Sequence, residues 1–178
     1  TGTVGNVNSA LEGLLYETQA DASSEVTLTL KTTETMAPQL SDTDVLTVIV
    51  NPINDAPVVT MPVAQSVAEE GTLTFSSANS NAFGIIDDAS DSGASIEVQV
   101  SVTSGRVKLG QTNGLTITAG ADESATVTFD SEVAAALAAL EGLAYMPSID
   151  FTGSDQLQLR VNDKGETGTG NAKEVTTS

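Results

Sequence analysis

Apolar and polar residues alternate one for one through much of the second half of the chain. In "SIEVQVSV", Ile96, Val98, Val100 and Val102 fall on one face, and Glu97, Gln99 and Ser101 on the other. "RVKLG" alternates through Val107 and Leu109, "GLTITAG" through Leu115 and Ile117, "ATVTFD" through Val127 and Phe129, and "QLQLRVN" through Leu157, Leu159 and Val161. "TLTF" at 72–75 is a shorter run of the same kind. A period of two predicts strands with one buried and one wetted face. Ser104-Gly105 and Asn113-Gly114 are turn signals between such strands. Together they predict an all-β fold of antiparallel sheets packed on each other, an immunoglobulin-like or cadherin-like β-sandwich.

One segment breaks the alternation. "SEVAAALAALEGLAY" places Val133, Leu137, Leu140 and Leu143 at spacings of four, three and three, with alanines between. That pattern predicts a short helix closing one end of the sandwich. Ser131 is the expected N-cap, Glu132 lies near the positive helix end, and Gly142 suits the C-terminal stop.

The same segment reveals a repeat. "ALEGLLY" at 10–16 recurs as "ALEGLAY" at 139–145, an offset of 140 − 11 = 129. Held without a gap, the offset pairs Val4 with Val133, Leu28 with Leu157, Leu30 with Leu159, Lys31 with Arg160 and Thr47 with Thr176. Residues 1–53 are therefore expected to be the C-terminal part of one module, and 54–178 a nearly complete second module. "NPINDAP" falls between them. Pro52 and Pro57 each fix φ and restrict the residue before, so the linker is expected to be short and stiff. A module lacking its front half leaves strand edges unpaired. The chain is expected to be an excerpt of something longer, or else to be completed by another copy through strand addition.

Composition narrows the chemistry. The 24 acidic and 6 basic residues give a net charge of −18, which repels nucleic acid and anionic membranes and favours cations. Without cysteine there is no disulfide scaffold, thiolate site or cysteine nucleophile. Without histidine the commonest general base and zinc ligand are missing. Lys31, Lys108, Lys164 and Lys173 lie in no Ser-x-x-Lys motif, and no glycine-rich phosphate loop follows a strand. An enzyme is not expected. No apolar run approaches a membrane span, so no membrane insertion is expected.

"NDAP", "EEGTL", "GLAY", "DFTGSDQL" and "VNDKGETGTG" occur here in that order. As a set they resemble the cadherin-like, immunoglobulin-like tandem repeats of giant bacterial surface adhesins, often exported by type I secretion. The resemblance covers 54–172 and, as a partial copy, 1–53. It implies an extracellular, cell-surface structural or spacer repeat whose partners are neighbouring repeats, with calcium bound near module junctions. Carried over residue by residue, the resemblance implies Glu69 and Glu70 in the early acidic position and Asp87, Asp88 and Asp91 in the acidic loop. It also implies Asp163 in the Asp-x-Gly-type loop and Asn54 and Asp55 in the linker. Such a set of oxygen donors, with no His or Cys, suits calcium and suits zinc poorly. In the first module Glu34 stands where Asp163 stands in the second, and "TTETMAP" lacks the glycine turn. Weak or no binding is expected there. Two further readings are open: a carbohydrate-binding module acting on cell-surface glycans, and a filament subunit complemented by strands of other copies. Aromatics, on which sugars stack, number only two Tyr and four Phe. Tyr16 and Tyr145 share one repeat position, and the Phe residues sit in or beside strands as core residues do.

Overall fold

A computed structural model describes residues 2–19 and 22–178. Strands hold 37% of the residues and helices 13%, and every strand pair is antiparallel, so the protein is all-β and sandwich-like. The chain divides into two compact units, Thr1–Pro52 and Ile53–Ser178.

The first unit holds helix α1 (Val4–Leu11) and a two-stranded hairpin of β1 (Glu25–Thr33) and β2 (Ser41–Ile49). Thr3 caps α1 by accepting from Asn6 N–H. The hairpin is in register over nine pairs, from Glu25 opposite Ile49 to Thr33 opposite Ser41. No helix, strand or hairpin residue of this unit is fully buried.

The second unit is built from β3 (Val58–Thr60), β4 (Leu73–Thr74), a 3-10 turn (Ser77–Asn79), β5 (Gly84–Ile86), α2 (Ala89–Ser92), β6 (Ser95–Ser101), β7 (Gly105–Lys108), β8 (Thr116–Gly120), β9 (Thr126–Glu132), α3 (Val133–Leu140), β10 (Ala144–Pro147), β11 (Gln158–Asn162) and β12 (Glu174–Thr177). The larger sheet runs β12-β11-β6-β9-β8, a smaller one runs β4-β10-β7, and β3 pairs with β5. Alternation decides which side chains enter the core. Ile96, Val98 and Val100 of β6, Val127 and Phe129 of β9, and Leu159 and Val161 of β11 are all buried. They meet Val107, Leu143, Tyr145 and the Phe75–Phe83 pair from the other elements in one cluster.

Helix α3 contributes Val133, Ala136, Ala139 and Leu140 to that cluster. Its start differs from the expectation. Strand β9 runs on through Glu132, so Ser131 pairs with Ile96 in the sheet and Glu132 becomes the cap residue. Ser131 Oγ is buried without a partner. The stop is as expected: Gly142 takes φ +88°, a conformation only glycine adopts freely. Helices α1 and α3 both begin and end 129 residues apart.

Candidate functional site

The segment entering the second unit is tied to the loop after β11. Ile53 bridges Thr169, and Asn54 N–H donates to Thr169 O at 3.0 Å. The Asn54 side chain is wholly buried. Its Nδ2 donates to Asp163 Oδ2 at 2.8 Å and to Asn171 O at 3.1 Å, and its Oδ1 accepts from Thr167 Oγ1 at 2.7 Å. Asp163, also wholly buried, accepts at Oδ1 from the backbone N–H groups of Gly165 (2.8 Å) and Lys173 (2.7 Å). Lys173 Nζ donates to Asn54 O at 2.5 Å. Gly165 has φ +66°, and a β-carbon there would lie 2.6 Å from Ala172 N. The loop therefore closes on the linker only with glycine at this position. Asn54 and Asp163 together form a buried polar lock whose hydrogen-bonding capacity is nearly filled by protein.

Beside this lock lie two carboxylates that are not so satisfied. Asp87, at the end of β5, is 8% exposed. Its Oδ1 accepts from Ala89 N–H at 2.9 Å, turning the chain into α2, while its Oδ2 has no partner. Asp88 Oδ2 accepts a long bond of 3.4 Å from Asp55 N–H, and its Oδ1 is buried without a partner. Burial pushes the Asp87 carboxyl up to about 6 against the pull of the Ala89 hydrogen bond. Asp88 pushes it the same way, by its charge and as the acceptor for the protonated acid, and so does the charge of Asp163. Asp87 Oδ2 therefore lacks a partner only when the carboxyl is ionised. The fold thus gathers three acids at one end of the unit and leaves two of their buried oxygens unpaired. Hard oxygens in this state suit a calcium ion. Among the described residues, however, no three acidic side chains, these included, converge closely enough to hold a metal ion as they stand.

Of the eight expected site residues, Asn54, Asp87, Asp88 and Asp163 are brought together here, and Asp55 joins them through its backbone N–H alone, the residue itself being exposed. Asp91 is exposed on α2. Glu69 and Glu70 are exposed in the turn before β4. Glu69 lines a cleft with Tyr145, Phe151, Asp155 and Gln156. That cleft is at the other end of the unit: β11 runs from Gln158 opposite Ser101 to Asn162 opposite Glu97, with Asp155 before it and Asp163 after it. In the first unit, Glu34 is exposed beside a turn in which its N–H donates to Leu40 O.

The cleft end contains a half-buried, densely hydrogen-bonded carboxylate that sequence reasoning missed. Asp155 accepts from Thr103 N–H (3.0 Å), Thr103 Oγ1, Ser104 N–H (2.9 Å), Tyr145 Oη (2.9 Å) and Gln156 N–H (2.7 Å). Burial alone would raise its carboxyl, but the bonds from Thr103, Ser104 and Tyr145 outweigh it and hold it down at about 2. Burial and then Asp155 push the Tyr145 phenol up to about 12. The "GSD" of "DFTGSDQL" carried the signal, because an Asp entering a strand is well placed to cap neighbouring turns. Tyr145, expected to be structural, is buried and anchors this knot.

No family model, curated protein or solved structure matches the chain. No helix among the described residues is long and apolar enough to cross a membrane.

Proposed function

We propose that this chain is a calcium-stiffened structural spacer segment of a large extracellular bacterial adhesin, built of cadherin-like repeats in series. The resemblance of the ordered motifs supports the setting. The observation that carries the calcium reading is the pair of buried, unpartnered oxygens on Asp87 and Asp88 beside Asp163. Those oxygens and the remaining lone pair of Asp163 are the donors, with Asn54 holding Asp163 in place. A bound calcium ion supplies six to eight positions for hard oxygens and cancels the repulsion among the three carboxylates. The Asp55 backbone already bonds Asp88, so filling the site fixes the start of the unit just after the proline-bounded linker. A spacer needs that stiffness, because it transmits position and force along the array.

Calorimetric titration of the whole chain tests the reading. Calcium binds wild type; Asp87→Asn and Asp88→Asn each weaken it about tenfold or more, a loss of about 1.4 kcal/mol. Glu69→Gln, at the opposite end, leaves it unchanged. Absence of binding at millimolar calcium, or equal affinity in all four proteins, contradicts the proposal.

A further inference from the structure

The first unit repeats the back of the second in sequence, with α1 at the place of α3 and the β1–β2 hairpin at the place of β11–β12, paired four residues out of the β11–β12 register. Yet the same residue types meet different environments. Val4 is 78% exposed where Val133 is 4%, Leu14 is 62% exposed where Leu143 is 0%, and Leu30 is 42% exposed where Leu159 is 0%. Tyr16 lies exposed where Tyr145 is buried. Val26, Leu28, Leu30, Leu46 and Val48 share one face of the hairpin through the pairs Val26–Val48 and Leu28–Leu46. The hairpin β1–β2 occupies the repeat position of β11–β12. In the second unit β12 is the sheet edge, and β11 pairs on its other side with β6. Strand β1 has no such neighbour among the described residues.

The second unit therefore states what should lie against β1. We propose that β1 is a docking edge for a strand of β6 type, carried by the front half of a repeat like residues 53–132. The register follows from β11 by the offset of 129: Leu159 opposite Val100 becomes Leu30 opposite that valine, and Arg160 opposite Gln99 becomes Lys31 opposite that glutamine. Charge agrees with the geometry. Arg160 bonds Glu97 of β6 at 2.5 Å across the strands. Lys31, its counterpart, makes no ion pair among the described residues, and a β6-type strand would bring it the same glutamate. Alternate valines would cover Leu28 and Leu30, and the rest of the half would cover Val4, Leu14 and Tyr16. A second copy of this chain does not fit, because its own β6 is already hydrogen-bonded to both β9 and β11. The occupant is a front half not yet engaged with a back half of its own.

Two arrangements test this by amide hydrogen exchange. In the first, residues 53–132 are joined ahead of Val4 of the chain, since residue 132 corresponds to residue 3. In the second, the 53–132 polypeptide is added to the whole chain as a separate molecule. The joined protein should slow exchange of the β1 amides not bonded to β2 by about a hundredfold, toward the level of β11. The added polypeptide should form a one-to-one complex with the same protection. Leu30→Arg, on a face exposed in the parent chain, should abolish both effects. Unchanged β1 exchange in the joined protein overturns the proposal. So does β1 protection in the chain alone that grows with its concentration, because that would make a second copy the occupant.

Discussion

Asn54, Asp87 and Asp155 all carry side-chain oxygens shielded at least in part from solvent, and each does something different because of its partners. Asn54 is a crosslink: both its amide nitrogen and its oxygen are engaged by buried groups. Asn54→Ala orphans Asp163 Oδ2 and Thr167 Oγ1 and should cost about 3 kcal/mol in denaturant unfolding. Asn54→Asp would set a second carboxylate against Asp163, which lies 2.8 Å from Nδ2 now. It should destabilise at pH 7 and recover as pH falls, and calcium should partly rescue it. Asp155 joins a turn, a strand and Tyr145, so Asp155→Ala should cost on the order of 3 kcal/mol, with Asp155→Asn less severe. The sequence shows acids but not their burial. "IIDDASDSG" marked Asp87 and Asp88 for attention, whereas Asp155 looked like one more polar residue before a strand. Thr167 and Lys173 gave no signal, since a hydroxyl or an ammonium finds its partner only when distant loops meet.

At the scale of elements, period-two patterning located β6, β7, β9 and β11 because each has a buried face. Strand β8 carries the same alternation, but as an edge strand it is exposed at every position, Ile117 included. Strands β3 and β5 are three residues long, too short for a period to declare itself, and the four-residue helix α2 follows from the Asp87 turn and not from any apolar stripe. The helix α3 was legible from its leucines and alanines, but its first turn was not. Sheet pairing of Ser131 overrode its capping preference. Docking of α3 rests on a close backbone approach. Gly110 N–H donates to Ala139 O at 2.8 Å, and a β-carbon on Gly110 would lie 1.9 Å from Glu141 O. Backbone cannot yield there as a side chain would. Gly110→Ala should therefore cost about 2 kcal/mol or more, read as a lower denaturant midpoint with an unchanged slope.

Across the molecule, the two most strongly perturbed carboxyls of the second unit, Asp87 and Asp155, give stability an unusual pH profile. Asp155 is held low, so its contribution is present above the ordinary Asp value and is lost as pH falls from about 4 to about 2. Asp87 is raised to about 6, so the folded state holds a proton there that the unfolded chain has released. Stability from this group falls as pH rises from about 4 through 6, by on the order of 2 kcal/mol. Without divalent cations, the second unit should thus be more stable near pH 5 than near pH 7, a difference that thermal unfolding across that range would measure. A cation bound at Asp87 and Asp88 would remove the penalty at neutral pH, which is the condition a calcium-dependent spacer requires.

The most direct test is thermal unfolding of the whole chain at pH 7, in chelator and then in calcium. A site present only in the folded second unit stabilises it by about 2.7 kcal/mol at a hundred times Kd, so Tm should rise by roughly 10 °C. Asp87→Asn should melt higher than wild type in chelator and gain little from calcium. An unchanged wild-type Tm at millimolar calcium would contradict the account.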